Sequence, residues 1–398
     1  MKIMMLGWEL PPHNSGGLGV ACLQLAQALS RAGADINFVL PYRHRHDYEF
    51  MNILSALDVN PQSIQLAGAY DSRLFKMAAQ PERLNISDQQ WLYALNVGRL
   101  AEQLEFDIIH AHDWLTFRAA LMARQIKNRP LVLHVHSIER DRAGGHHGNP
   151  WVREIEENAM LMADYVYAVS ERTKQMITED YGIPASKIGV AHNSIDPSVF
   201  EELSHDNDYR YLNDLKKQGW RVVANVGRLT IQKGLPHLLE AARIVVEKQP
   251  KTMFLFVGDG EQRDELIEMA VDKKIGKNVL FVGFQRGKRW RDAYSIADIF
   301  VMPSVSEPFG LTPIEAAAYG TPSMVSWQSG VSELFKNCLK VDYWDTNLMA
   351  DKLVGALRSQ AFLNELGGNA KTEVSSYNWD YTASKIMSKY QSFSGVSA

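Results

Sequence analysis

The stretch Ser304-Val305-Ser306-Glu307-Pro308-Phe309-Gly310-Leu311-Thr312-Pro313-Ile314-Glu315 decides the reading of this chain. It follows the apolar run Ile299-Phe300-Val301-Met302, which reads as a strand, and it leads into a helix. Glu307 falls on the strand-to-helix loop and Glu315 one turn into the helix. A loop at a strand's carboxyl end faces the ligand crevice of an open α/β sheet, where a carboxylate can accept hydrogen bonds from sugar hydroxyls. The backbone amides around Gly310 and Leu311 form a helix N-terminus, which suits a phosphate. Sugar and phosphate recognised side by side imply a nucleotide sugar.

The same strand–loop–helix alternation extends in both directions. Ile3–Leu6, Asp35–Pro41, Asp107–His110, Leu131–Val135 and Tyr165–Val169 read as strands separated by helical stretches, the first of these over Val20–Ala32 and closed by Gly33. A second series runs through Val222–Val226, Met253–Val257, Val279–Val282, Ile299–Met302 and Ser323–Ser326. Between the two, Asn193–Pro197 and the polar run Ser204–Arg210 read as a linker. The expected fold is α/β, with two doubly wound, Rossmann-like parallel-sheet domains facing a central cleft. The expected boundaries are 1–200 for the first domain and 201–376 for the second. A C-terminal helix over 377–398 is expected to cross back to the first.

Composition agrees with two cores. The chain has 398 residues, 46% of them hydrophobic, more than one core usually organises. A formal charge of −4 gives no global field for nucleic acid or an anionic membrane; nucleic acid is not expected as a partner, and membrane association is left open without being indicated. Cys22 and Cys338 lie far apart in apolar segments and are expected to be buried thiols in a reducing, cytoplasmic compartment. The apolar start Met1–Leu6 is ended by Gly7, Glu9 and Pro11, short of a signal-peptide core or a membrane span.

Three further constellations carry chemistry. Gly16-Gly17-Leu18-Gly19 opens the first helix, where missing Cβ atoms allow close approach of an anion to the backbone. A tight turn is the bland alternative, and the spacing is not the dinucleotide fingerprint. Gly227-Arg228-Leu229-Thr230-Ile231-Gln232-Lys233-Gly234 again joins a strand end to a helix start, and its two cations can grip a diphosphate without a metal. His110-Ala111-His112-Asp113-Trp114 and His134-Val135-His136-Ser137 end two first-domain strands and can bind sugar hydroxyls or move a proton. A zinc site is the sharper alternative there, opposed by the lack of Cys or Glu in a ligand spacing. His110 and His134, two residues before their partners, are expected on the opposite sheet face in a satisfied core role.

Other segments invite plainer readings. Asp206-Asn207-Asp208 imitates a metal-binding pair, yet lies in the polar linker and reads as a solvated turn. Arg286-Gly287-Lys288-Arg289-Trp290-Arg291 reads as a loop and helix start near the nucleotide end of the cleft. Tyr42-Arg43-His44-Arg45-His46 reads as an exposed loop or an acceptor contact.

Taken together, these segments resemble the GT-B retaining glycosyltransferases of family 4 over nearly the whole chain, the Glu307/Glu315 pair being the most specific element. The resemblance implies that Glu307, with Phe309 and Gly310, lies at the donor sugar, and that Glu315 binds the nucleotide ribose. It implies that Arg228, Lys233, Leu311 and Thr312 hold the diphosphate, with Gly16 and Gly17 closing over it from the first domain. Trp8-Glu9-Leu10-Pro11-Pro12, His110–Trp114 and His136–Arg142 are similar to glycogen and starch synthases, especially compact archaeal-like ones. By that similarity Asp113 and His136 surround the transferred sugar, the donor is ADP- or UDP-glucose and the acceptor an α-1,4-glucan. Asn14 stands where bacterial glucan synthases usually carry a lysine, and Glu315 follows the wider family, which uses several hexose donors.

The expected reaction is transfer with retention, assisted by Arg228 and Lys233 at the departing diphosphate, with Glu307, His136 and Asp113 around the sugar. No cofactor or metal is expected. The rivals are an epimerase that cleaves and rebuilds the same bond, a glycan-binding protein without turnover, and a transferase acting on a lipid-linked or cell-surface acceptor. Oligomeric state is not legible.

Overall fold

The computed structural model describes residues 1–14, 16–43, 48–59, 85–195 and 207–393. They form two compact units, one comprising Met1–Arg142, His146–Ser194 and Asn378–Ala398, the other Ala143–Gly145 and Ile195–Tyr377.

The first unit is built on strands β1 (Lys2–Leu6), β2 (Asp35–Leu40), β3 (Asn52–Ser55), β4 (Ile108–His112), β5 (Leu131–Val135), β6 (Tyr165–Ala168) and β7 (Ile188–Val190). They pair in the order β3-β2-β1-β4-β5-β6-β7, all parallel. β4 and β5 are buried along their whole length, as strands covered on both faces must be. The strand order reverses between β1 and β4, which opens a crevice at their carboxyl ends.

The second unit repeats the plan with β8 (Arg221–Val226), β9 (Thr252–Val257), β10 (Val279–Phe281), β11 (Ile299–Met302), β12 (Ser323–Ser326) and β13 (Leu339–Val341). Their order is β10-β9-β8-β11-β12-β13, again all parallel, with the reversal between β8 and β11. Its core gathers Leu235, Leu238, Leu239, Ala242 and Val245 of helix Leu235–Lys248 against Phe254, Phe256 and Ile299. Those positions are the apolar face legible in the sequence.

The last helix, Trp379–Phe393, packs on helix Gly17–Arg31 of the first unit. Trp379 Nε1 donates to Gln24 Oε1 at 2.8 Å, Arg31 pairs with Asp380 at 2.7 Å, and the Tyr390 hydroxyl meets His110 Nδ1.

Several readings need correction. β3, β7 and β13 escaped the sequence analysis because each is three or four residues long and lies near a sheet edge. Asn207 and Asp208 lie in a turn as expected, Asp208 exposed and paired with Lys288 at 2.7 Å, while Asn207 Nδ2 is tied down by Asp292 O and Ser295 Oγ at 3.0 Å. The Asx-type turn itself is present, Tyr209 N donating to Asn207 Oδ1 at 2.8 Å. Tyr42 is fully buried and its hydroxyl accepts from Leu10 N, so it takes no part in an exposed loop. His44, Arg45 and His46 lie outside the described residues, as do Asp206 and most of the expected linker. Both cysteines are free; Cys22 is buried, whereas Cys338 is only half-buried. Among the described residues no helix is long and apolar enough to cross a membrane.

Candidate donor-sugar and phosphate site

In the second unit the candidate groups follow the two strands that flank the reversal. Arg228 and Lys233 lie after β8, and Glu307 lies after β11. Lys233 Nζ sits 2.5 Å from Glu307 Oε2, and Ser304 Oγ donates to the same oxygen at 3.2 Å. Gln232 ties the two loops together: its backbone carbonyl accepts from Val305 N at 2.9 Å, and its side-chain amide donates to Ser306 O at 3.0 Å. Arg228 Nη2 approaches Gln232 Oε1 at 3.5 Å, which leaves the guanidinium on the same loop. Gly234 takes φ +63°, and a Cβ there would fall 2.2 Å from Pro303 O, so only glycine lets the lysine loop close on the Glu307 loop.

The Glu307 backbone is braced from the far side. Its amide donates to Gln328 O at 3.0 Å and its carbonyl accepts from Gly330 N at 2.9 Å. Phe309 is buried and accepts from Val331 N at 2.7 Å. Gly310 takes φ +102° directly under Glu307, with space for a Cβ closed by Met302 Cε at 2.7 Å and Glu307 Cγ at 3.3 Å. Leu311 precedes and Thr312 begins helix Thr312–Ala318; Pro313 has no amide hydrogen and Ile314 N and Glu315 N donate to Leu311 O at 3.0 and 2.9 Å, so the amides left for a ligand are those of Leu311 and Thr312. Glu315 accepts from the Tyr294 hydroxyl at 2.7 Å. Its side chain is half-buried, but loss of water around the carboxyl outweighs that bond and pushes its pKa up to about 7.

In the first unit a second group follows β1, β4 and β5. Gly16 is the extended residue before helix Gly17–Arg31, and Gly17 is its first residue. Asn14 Nδ2 donates to Gly16 O at 2.9 Å and so shapes this loop itself. The buried Glu9 accepts from Gly19 N at 3.3 Å. Asp113 is 1% exposed and sits at φ +60°, a strained conformation for a residue with a side chain. The strain sets its carboxylate under the end of β5, where Oδ1 accepts from His136 N at 2.6 Å and Ser137 N at 3.3 Å. His112 Nδ1 and His136 Nε2 are 2.9 Å apart.

The expectation that His110 and His134 occupy the opposite face is wrong. Residues i and i+2 of a strand share a face, and all four imidazoles form one buried stack. His110 and His112 have ring centroids 4.6 Å apart and His134 and His136 4.5 Å, with planes tilted by 25° and 15°. Nor is their core role satisfied: among the described residues His110 Nε2, His112 Nε2 and both nitrogens of His134 have no partner. Burial lowers the pKa of all four, to about 3 for His134, so the stack is neutral.

The residues from the sequence reading therefore collect into two groups. Arg228, Lys233, Glu307, Phe309, Gly310, Leu311, Thr312 and Glu315 belong to one unit, and Gly16, Gly17, Asp113 and His136 to the other. Sequence reasoning missed Ser304, Gln232, Gln328 and Tyr294 as supports and gave Glu9 no role. Gln232 and Ser304 stood inside the motifs already singled out; nothing local marks Tyr294 or Gln328.

Two family models match the chain: Glycosyltransferase Family 4 over residues 15–199 and Glycosyl transferases group 1 over residues 213–372. An uncharacterised glycosyltransferase of Methanocaldococcus jannaschii is 29% identical over 98% of both chains. The glycogen synthase of Mycobacterium tuberculosis is 27% identical over 85% of this chain and 80% of its own. The D-inositol 3-phosphate glycosyltransferase of Rhodococcus erythropolis is 27% identical over 95% and 87%. Among solved structures, sucrose-phosphate synthase from Thermosynechococcus elongatus superposes with a TM-score of 0.77 at 20% identity, covering 100% of both chains. Anabaena HepE in complex with UDP and glucose superposes at 0.73 and 19% identity, over 98% of this chain and 100% of its own.

Proposed function

We propose that this chain, which belongs to the GT-B glycosyltransferases of family 4, moves a hexose from a nucleotide diphosphate sugar to a glycan with retention of configuration. The observation that carries the proposal is the joining of Arg228, Lys233 and Glu307 at the carboxyl ends of β8 and β11, the crevice position of an open α/β sheet. A neighbour of the same fold was solved with UDP and glucose, which supports this donor class. Glucose from ADP- or UDP-glucose is the proposed substrate and the non-reducing end of an α-1,4-glucan the proposed acceptor, in line with the glycogen synthase relative. The two free thiols fit a reducing, cytoplasmic setting.

In this reading Arg228 and Lys233 bear on the diphosphate as negative charge grows on it, and the amides of Leu311 and Thr312 add hydrogen bonds. Preorganised charge of this kind stabilises a departing group more than water does. Glu307, Phe309 and Gly310 position the sugar; for His136 and Asp113 the proposed role is sugar binding, and for Gly16 and Gly17 phosphate binding, as the family resemblance implies. The acceptor oxygen attacks the anomeric carbon on the face from which the diphosphate leaves, and its proton passes to the leaving phosphate. Glu315, Tyr294-bonded, binds the ribose. Two cations do the work otherwise done by a divalent metal, so the transfer is proposed to need none.

The test is release of nucleoside diphosphate from ADP-, UDP- and GDP-glucose, with and without glycogen or maltooligosaccharides, in EDTA. Acceptor-dependent release from a glucose donor is expected. A second reading has support in the inositol-phosphate glycosyltransferase relatives, of which the Rhodococcus erythropolis protein matches more of the chain than the glycogen synthase does. In that reading the acceptor is a small or lipid-linked polyol or a cell-surface glycan. Donor turnover that ignores glucans would favour it.

A further inference from the structure

We infer that His112 holds His136 in one tautomer, with the ring proton on Nδ1, and is thereby a positioning residue for the hydrogen-bond donor that His136 offers to the sugar. The inference deepens the proposed reading and rests on it for the role of His136.

Both rings are buried and neutral, so each carries a single ring proton. At 2.9 Å, one of His112 Nδ1 and His136 Nε2 must donate and the other accept. If His136 Nε2 donates, the His112 proton is forced onto Nε2, where no partner lies among the described residues. That arrangement buries an orphaned N–H. If His112 Nδ1 donates instead, its Nε2 is a bare lone pair, and unsatisfied acceptors are tolerated better than unsatisfied N–H groups. The second arrangement is favoured, and it leaves the His136 proton on Nδ1.

The surroundings fix the rest of the geometry. Asp113 Oδ1 anchors the His136 amide at 2.6 Å, and the Thr116 hydroxyl donates to His112 O at 2.9 Å, so both backbones are held. Among the described residues His136 Nδ1 has no hydrogen bond either, but unlike His112 Nε2 it is not a fully sealed polar atom, so its N–H can reach water or an outside acceptor. A sugar hydroxyl oxygen is such an acceptor. Two groups bring ligand atoms within 4.8 Å of one another, Cys22–His112–His136, where the two imidazoles already bond each other and burial holds the thiol protonated, and His110–His112–His134. The rings of His110 and His134 are stacked within 2° of parallel, however, which sends their lone pairs side by side and not to a common point.

Protein labelled with 15N-histidine, observed by long-range 1H–15N correlation, decides the matter. His136 is assigned by the signals lost in His136→Asn. A protonated Nδ1 and an unprotonated Nε2 at His136 are expected; the reverse pattern overturns the inference whatever the activity. In His112→Phe, which fills the space without a donor, the single tautomer should disappear and donor kcat/KM should fall about tenfold, the usual consequence of one lost hydrogen bond. His112→Asn keeps an amide donor near the Nδ1 position and should recover most of that loss. Equal losses in both variants with an unchanged His136 spectrum would also overturn it. The expected tautomer in a protein that turns over no nucleotide sugar would leave this inference standing and remove the proposed function.

Discussion

Lys233 Nζ lies 2.5 Å from Glu307 Oε2, so the cation proposed for the diphosphate is held by the carboxylate proposed for the sugar. Their side chains are 18% and 10% exposed, which leaves the pair open to solvent on one side. Glu307 is buried, so the lysine also compensates a largely desolvated carboxylate, and its removal carries a cost in stability. The pair has a consequence for chemistry too: the ammonium is already in the crevice before a donor arrives. Lys233→Ala should therefore still fold but with a lowered melting temperature, while turnover falls by about two to three orders of magnitude. Arg228→Ala should behave alike. Near-normal turnover in either variant, measured as diphosphate release, would remove them from the leaving-group role.

Glu315 links stability to function with opposite signs. Burial raises its folded pKa to about 7, against an ordinary value of 4.5, and the Tyr294 bond only partly offsets this. An acid with a raised folded pKa is favoured in its protonated form, so its contribution is best below pH 4.5 and is lost as pH rises towards 7. Glu315→Gln should flatten that part of the stability profile and raise stability at pH 8, on the order of 2 kcal/mol once its partial exposure is allowed for. The ionised carboxylate is the better acceptor for ribose hydroxyls. Donor affinity in the parent should strengthen as pH rises through about 7, and the variant should lose both that dependence and affinity. Urea melts and donor titrations between pH 5 and 8 check the two halves separately.

The strand-end motifs were legible because each combines a buried strand, a loop and a helix start within about a dozen residues. Glu307, Arg228 and Lys233 could be placed at the crevice from local pattern alone. Their supports could not. Gln232 reaches Ser306 and Tyr294 reaches Glu315 across different strand–helix units, and such pairings are set by sheet order, which local periodicity does not encode. The histidines show a different failure. Their spacing of two already placed them on one face, and the error lay in applying the period, not in a missing signal.

Gly310 presents a sharper steric case. At φ +102° an alanine is strained, and its Cβ would press on Met302 Cε at 2.7 Å and on Glu307 Cγ at 3.3 Å. The conformational cost alone is about 1–3 kcal/mol. Because Met302 is a flexible side chain and can yield, the protein should still fold, with a lowered melting temperature. Glu307 is the other neighbour, so Gly310→Ala should weaken sugar positioning as well, and kcat should fall more than the affinity for free nucleoside diphosphate. Equal loss of both would assign the effect to general loosening.

Arg142 offers a test of what holds the loop after β5. It is nearly fully buried and pairs with Glu139 at 2.9 Å and with Glu156, which in turn bonds the Tyr181 hydroxyl. Glu139 Oε1 also accepts from Asn149 N at 2.8 Å, so one arginine bridges two carboxylates that organise the chain between β5 and helix Pro150–Met162. Removing one partner from a buried pair leaves the other charge without compensation, at a cost of about 3–5 kcal/mol. Arg142→Met should therefore be strongly destabilised at pH 8. Burial already raises the pKa of Glu156 in spite of the arginine's opposing pull. Without the arginine that pKa climbs further, and a proton can neutralise the stranded carboxylate as pH falls. The stability deficit of Arg142→Met should accordingly shrink between pH 8 and pH 5, and Glu156→Gln in the same background should recover much of it at pH 8. A deficit independent of pH and of Glu156→Gln would mean that packing of the arginine stem, not its charge, is what the fold requires.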